Sequence, residues 1–255
     1  MNDYWDGHYY KHHSDFQQSN ALAMLKSFPL KGDEHVLDVG CGPGTISQWI
    51  AERTKHVIGL DPSKDMIKQA LQDYSQTPRL TFVCEKLETF QTHQKFDLIT
   101  SFHALHFVEN HRDVFAKMLS WLSPQGHLLI AMASELQPML ADLISEKKWS
   151  STVDIYKKFF PLSLDKASIL LHKLGFKINK LAIKPIPYIF TSSQHLRDWL
   201  LGWIKHPSGL DGKLLDEFAT DFTTRVCRQI GSSSAIPITL HSLTIDATPL
   251  START

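Results

Sequence analysis

The chain lacks the features that define several large protein classes. Cysteine occurs only three times in 255 residues, at Cys41, Cys84 and Cys227, with no CxxC pair and no even count. That excludes a disulfide framework and points to a reducing, cytoplasmic setting. An excess of one charge is also missing, since 27 Lys and Arg stand against 26 Asp and Glu. Proteins that work on nucleic acid or on anionic membranes carry a basic surplus, so neither is an expected partner. Long apolar runs are absent, the longest being residues 128–133, and residues 1–15 are polar and aromatic. Neither a signal peptide nor a membrane-spanning helix is therefore expected. Nothing repeats at a fixed period, and the one low-complexity stretch, the Ser/Thr-rich tail 248–255, is expected to fray.

What remains is enough for a core: 42% of residues are hydrophobic, which excludes a disordered or fibrous chain. From Glu34 to Ile183 short β-branched runs alternate with helical patterns, the mark of a parallel sheet covered on both faces in an α/β, doubly wound fold. Strands are predicted at 35–39, 56–60, 80–83, 96–101, 127–132 and 176–183, with a last one at 238–247. Helical spacing links Ile46, Trp49 and Ile50; Met66, Ala70 and Leu71; and Val114, Met118 and Leu122. Gly126 and Gly175 each precede a predicted strand, and Gly175 reads as a left-handed helix cap.

Two segments fall outside the alternation. Leu136, Met139, Leu140, Leu143 and Ile144 form an amphipathic stripe after the fifth strand, where an open α/β sheet places its ligand crevice, so a lid is expected there. In a second insertion Leu196, Trp199, Leu200 and Trp203 share one helical face, and Leu215, Phe218 and Phe222 another. Most of these are core positions, whereas Trp199 and Trp203 are expected to wall an apolar substrate pocket. The resulting division is an N-terminal helical lid segment at 1–30, a core at 31–187 and 236–248 with a lid insertion at 134–161, a helical cap at 188–235 and a tail at 249–255.

The first predicted strand runs into Val36-Leu37-Asp38-Val39-Gly40-Cys41-Gly42-Pro43-Gly44-Thr45. Glycines let this loop turn sharply and approach a ligand, and Thr45 is expected to cap the helix that follows. The second strand ends in Asp61, roughly 20 residues beyond the loop, where an acid can accept hydrogen bonds from both hydroxyls of an adenosine ribose.

In this order VLDVGCGPGTIS, VIGLDPSKDMI, FDLITSFHALHFVEN and LSPQGHLLIAM resemble the class I S-adenosylmethionine-dependent methyltransferases. The resemblance implies a seven-stranded Rossmann-like sheet and S-adenosylmethionine as cofactor, with S-adenosylhomocysteine as product. Together with the helical insertion before the last strand, the motif order predicts strand order 3-2-1-4-5-7-6, the inserted last strand being antiparallel. By the same resemblance Gly40, Gly42 and Gly44, with Cys41, wrap the methionine part, Asp61 holds the ribose, Pro62 and Met66 flank the adenine, and Asp38 orients the loop or the amino group. Ser101 and Phe102 close the crevice from the fourth strand. Where the family has an acid for the adenine amino group, this chain has Glu85, Lys86 and Leu87. Glu85 is the displaced candidate, and Leu87 offers its backbone.

Outside the core, SFHALHFVEN, YYKHHSDFQQSNAL and HLRDWLLGWIKHPSGL are similar to segments of the trans-aconitate and juvenile hormone acid methyltransferases, which esterify carboxylates. Tyr10 and Gln17 match a Tyr and a Gln there, which implies that Tyr10 contacts the cofactor and that Gln17 holds the acceptor carboxylate. Phe107 stands where those families commonly carry Trp, so a substrate contact at that position lacks the indole donor. The expected reaction is methylation of a small molecule, an organic acid first, by in-line transfer. A carboxylate is ionised at pH 7 and needs no base. With a hydroxyl or amine acceptor, His103 or His106 would be the catalytic base. A binding module that keeps the cofactor and contacts a protein partner is the third reading. No metal is expected, because His8, His12 and His13 have no second ligand cluster at zinc spacing. The Asn/Asp-Pro-Pro-aromatic signature of nucleic-acid amino methylation is replaced by Ser101-Phe102-His103-Ala104.

Overall fold

The structure, a computed structural model, describes residues 3–250. Two short helices, α1 (Gly7–His13) and α2 (Asp15–Lys26), lead into the alternating core. The core elements are β1 (His35–Val39), α3 (Thr45–Ala51), β2 (His56–Asp61), α4 (Lys64–Tyr74), β3 (Leu80–Cys84), β4 (Phe96–Phe102), α5 (His111–Trp121) and β5 (Leu122–Ala133). After α6 (Pro138–Ser145), α7 (Leu164–Leu174) returns to β6 (Phe176–Phe190). Helices α8 (Ser193–Ser208) and α9 (Gly212–Ile230) then precede β7 (Ile236–Pro249). The seven strands form one sheet in the order β3-β2-β1-β4-β5-β7-β6, with β7 antiparallel to both neighbours. This is the predicted order, and the reversal between β1 and β4 is a topological switch point, where such sheets open a crevice.

Period-two alternation makes the sheet two-faced. Along β5, Leu128, Ile130 and Met132 enter a core with Val114, Phe115 and Met118 of α5 and Leu171 of α7. Leu129 and Ala131 turn the other way, toward Ile50 of α3 and Leu25 of α2. Both faces are thus buried, which is why the strand reads as a continuous apolar run. Gly175 ends α7 at φ 90°, the left-handed cap that was expected.

Three local expectations are corrected. Helix α3 starts at Thr45, and Gly44, at φ 83°, occupies the cap position; the Thr45 hydroxyl caps nothing and is buried without a partner. Gly126 lies inside β5 rather than ahead of it, in a stretch where pairing with β4 shifts register. Of the tail expected to fray, Thr248 and Pro249 pair with Lys177 and Phe176 of β6, and residues 251–255 lie outside the described residues.

The longest departure is β6, which continues seven residues past its predicted end, through Pro185 and Pro187 to Phe190. Prolines usually stop a strand, but β6 is the sheet edge, where their missing N–H groups leave no ladder bond unmade. Residues Ile236–His241 of β7 pair only with β6, so the two strands leave the sheet as a ribbon. Phe190, Ile236 and Ile238 of that ribbon join Leu196 and Trp199 of α8 and Phe218 of α9 in a separate core. Helices α8 and α9, which lie between Phe190 and Ile236 in the chain, are therefore seated on a strand pair. Among the described residues no helix is long and apolar enough to cross a membrane.

Candidate active site

A cleft of about 750 Å³ opens at the carboxyl ends of β1, β2 and β4. Its shape begins with Gly40. A Cβ there would stand 2.1 Å from the Ala104 Cβ, so glycine is required for the loop after β1 to pass the loop after β4. Gly42, at φ 53°, differs: a Cβ there would project into the cleft, 3.9 Å from Met66 and Tyr10. The loop's donors are satisfied within the protein, mostly by β2. The Gly40 and Cys41 N–H groups donate to the Leu60 carbonyl, that of Gly44 to the Cys41 carbonyl, and that of Gly42 to Asp61. The loop therefore offers shape to a ligand, and four of its donors are already spent.

Asp61 is 8% exposed and braces this loop. Its Oδ2 accepts the Gly42 N–H at 2.9 Å and its Oδ1 the Ser63 N–H at 2.9 Å. Burial pushes its carboxyl up to about 6, against the pull of these two N–H groups. One lone pair on each oxygen remains for a diol. Asp38 likewise accepts one bond on each oxygen: the hydroxyls of Ser47 and Thr100 donate to them at 2.6 and 2.7 Å. It ties β1 to α3 and β4 beneath the cleft.

Of the residues expected at the cofactor, Tyr10, Asp38, Gly40, Cys41, Gly42, Asp61, Pro62, Met66, Glu85, Lys86, Leu87 and Phe102 line the cleft. Gly44 and Ser101 do not. A Cβ on Gly44 would meet the Phe82 ring at 2.7 Å, and Ser101 is wholly buried behind the wall with its hydroxyl unpartnered. The expectation missed Thr45, whose unpartnered hydroxyl is in the wall. It also missed Trp5, which stacks on His206 at 5.3 Å and meets Tyr10 and Phe107 edge-on. Asp3, two residues earlier, accepts from the Ser63 hydroxyl and the Asp65 N–H at the start of α4. Residues 3–6 thus cross from α4 to α8 over the cleft. No local pattern announces such a strap.

Behind the cleft is an inner chamber of about 90 Å³. Trp5, Tyr10, Gln17, His103 and Phe107 line both spaces and form the waist between them. Trp199 and Trp203, the predicted pocket walls, line the chamber. Gln17 stands at the waist with its Oε1 buried and unpartnered. His103 follows β4 at φ 58°, a left-handed conformation costing a residue with a Cβ on the order of 1 kcal/mol. It is held there by its N–H on the Ala131 carbonyl at 2.7 Å and by Asn20, whose Nδ2 lies 2.9 Å from Nε2. His106 accepts the Ala133 N–H on Nδ1 at 3.2 Å, so in the neutral ring its proton is on Nε2. Burial holds His103 down to about 4 and His106 well below the usual histidine range.

These residues fit S-adenosylmethionine. Asp61 would offer acceptors to the ribose, and Pro62, Met66 and Leu87 apolar surface to the adenine. Comparison with known proteins agrees. Residues 36–126 match a family model described as a methyltransferase domain. Trans-aconitate 2-methyltransferase of Shigella flexneri is 31% identical over 147 residues, 57% of this chain and 57% of that protein. The 235L protein of Invertebrate iridescent virus 6 is 25% identical over 89% of this chain and 87% of its own length. Among solved structures, phosphoethanolamine N-methyltransferase 2 of Haemonchus contortus, in complex with phosphomonomethylethanolamine and S-adenosylhomocysteine, is 18% identical and superposes with a TM-score of 0.58, covering 91% of this chain and 52% of that one. Residues 36–126 thus match a methyltransferase domain, and the chain as a whole shares the fold of solved methyltransferases that bind S-adenosylmethionine or its product.

Proposed function

We propose that the enzyme methylates a carboxylate of a small organic acid, and that Gln17 holds this group at the waist. One observation carries the reading: no histidine at or beside the waist is suited to remove a proton, His206 against Trp5 included, since burial holds it down to about 4. Burial has made His103 and His106 weak bases as well, the Nε2 of His103 faces the Asn20 amide, and the Nδ1 of His106 is spent on a backbone N–H. Tyr10, the other titratable group at the waist, is held protonated by burial and by the nearby Asp61 charge. An acceptor that is already an anion at pH 7 suits such a site, and a hydroxyl or amine does not.

S-adenosylmethionine, when bound, supplies an electrophilic methyl group that departs to a nucleophile by in-line displacement. The chain's own part is positioning and exclusion of water. Either orientation of the Gln17 amide is open, because neither end has a protein partner; with Nε2 toward the substrate it donates to the oxygen that does not attack. Trp5 and Phe107 shield the waist. Asp61 holds the donor, Glu85 and the Leu87 backbone meet the adenine edge, and Lys86 stands at the rim.

In this reading residues 1–30 act as the lid segment, with the strap and α2 among its described parts, and residues 188–235 as the cap. The trans-aconitate relative supports an acid substrate by its name and by its match over the core. The test is S-adenosylhomocysteine release with a panel of small monocarboxylic and polycarboxylic acids, beside alcohols and amines of the same size. Turnover confined to alcohols or amines would overturn the carboxylate assignment.

A further inference from the structure

The inner chamber has an unusual polar inventory. Two of its walls are indoles one helical turn apart on α8, Trp199 and Trp203, with ring centroids 5.7 Å apart. Trp199 is 4% exposed and leans on Phe190, and Trp203 leans on Phe159. Both Nε1 atoms are buried with no hydrogen-bond partner. Elsewhere the chain satisfies such a group: the Trp149 Nε1 donates to Asp221 at 3.1 Å. A buried donor without an acceptor is destabilising, and here two occur in one wall.

Charge narrows what could satisfy them. No Lys or Arg lines the chamber, and His106 is there as a neutral ring. The one formal charge is Glu135 at the outer rim, 3.3 Å from His241. An indole N–H only donates. A carboxylate drawn inside would lose its hydration without gaining a counter-charge, whereas an uncharged oxygen gains the bond and keeps no charge to desolvate.

Resting on the carboxylate reading of the waist, we propose that the chamber is a second recognition subsite. In it the indole N–H groups of Trp199 and Trp203 donate to an uncharged carbonyl oxygen carried by the acceptor away from the carboxylate that is methylated. The substrate class is then an oxo-acid or ester-acid with an apolar body, and acids bearing a second carboxylate at that position are rejected.

The test uses the intact enzyme and matched ten-carbon probes: a saturated monocarboxylate, monocarboxylates with one ketone at successive carbons, and the dicarboxylate. With wild type, kcat/KM for the best oxo-acid should exceed that of the saturated acid by about tenfold, the worth of one or two neutral hydrogen bonds. In Trp199→Phe and Trp203→Phe that ratio should fall toward unity while S-adenosylhomocysteine affinity is kept. An unchanged ratio, or preference for the dicarboxylate, overturns the subsite. Folding of the variants need not be assumed. In wild type saturated with S-adenosylhomocysteine, the Trp199 and Trp203 indole N–H resonances should move downfield on adding the oxo-acid and not the saturated acid, with Trp149 as the unmoved reference. Indifference of both resonances to every probe also overturns it. If no acid is methylated but oxo-alcohols are, and the two indoles still respond, the carboxylate reading falls and the carbonyl subsite stands.

Discussion

The Asp61 carboxylate accepts the Gly42 N–H at 2.9 Å, so the acid at the end of β2 and the loop after β1 are one structural unit. The group that would hold the ribose also fixes the loop beside it. Asp61→Ala is therefore expected to weaken S-adenosylhomocysteine binding by at least tenfold, because hydrogen bonds to a charged acceptor are worth roughly 1.5 to 3 kcal/mol. Calorimetry on the folded variant checks this; wild-type affinity would remove Asp61 from the cofactor site.

Binding should also depend on pH through the same residue. Burial raises the Asp61 carboxyl to about 6 in the ligand-free protein, and the ionised form is the better acceptor for two hydroxyls. Affinity for S-adenosylhomocysteine is expected to fall as pH drops through about 6 and to hold above it. The sign for stability is opposite: a carboxyl raised on folding contributes fully below its unfolded value, and that contribution is lost as pH rises through about 6. Calorimetric titrations at several pH values, with Asp61→Ala showing no such limb, are the measurement.

The buried histidines predict loss of stability in acid. His103 and His206 are held down to about 4, and His106 is held well below the usual histidine range, all chiefly by burial. Between the ordinary histidine value near 6.5 and about 4 the unfolded chain binds protons that the folded chain refuses, so stability rises with pH across that window. His56 and His111, also lowered by burial, act in the same sense, against the raised carboxyls of Asp38 and Asp61 in the other. Urea midpoints should therefore drop as pH is lowered from 6.5 to 4, and a flat profile would contradict the burial of these rings.

Turnover should separate Gln17 from the histidines. Gln17→Ala is expected to lower kcat by about ten- to a hundredfold on an accepted acid, through loss of a charge-assisted hydrogen bond that fixes the attacking oxygen. The rate of the chemical step should stay flat from about pH 6 upward, and His103→Asn or His106→Asn should cost stability or binding more than kcat. A rate limb that disappears with either histidine, joined to indifference at Gln17, is the contrary result.

Two glycines in one loop should behave differently. Gly40→Ala places a methyl 2.1 Å from Ala104 and is expected to prevent folding or lower the melting temperature severely. Gly42→Ala meets nothing closer than 3.9 Å, so the variant should fold, at the cost of about 1 to 2 kcal/mol for its left-handed backbone. Its methyl enters the cleft, and cofactor affinity should fall. Thermal melts with and without S-adenosylhomocysteine distinguish the two.

Local patterns in the sequence were sufficient for the strands, the loop after β1, Asp61 and the placement of Trp199 and Trp203 in a pocket wall, while the strand order followed from the family resemblance. Period-two and helical spacing are set by neighbouring residues, and the alternation of Leu128, Leu129 and Ile130 declares both sheet faces without reference to anything distant. Tertiary structure alone decided the rest. The pairing of Asn20 with His103, the stacking of Trp5 on His206 and the donation of the loop's N–H groups to Leu60 and Asp61 depend on segments far apart in the chain. Pro185 and Pro187 read locally as a stop, and only the edge position of β6 makes them harmless. Thr45 has the composition of a cap, yet Gly44 takes that position and leaves the hydroxyl buried without a partner. Local propensity selects which elements form; which side chains share a buried space, and which donors remain unmet, is fixed by packing between elements that carry no common sequence signal.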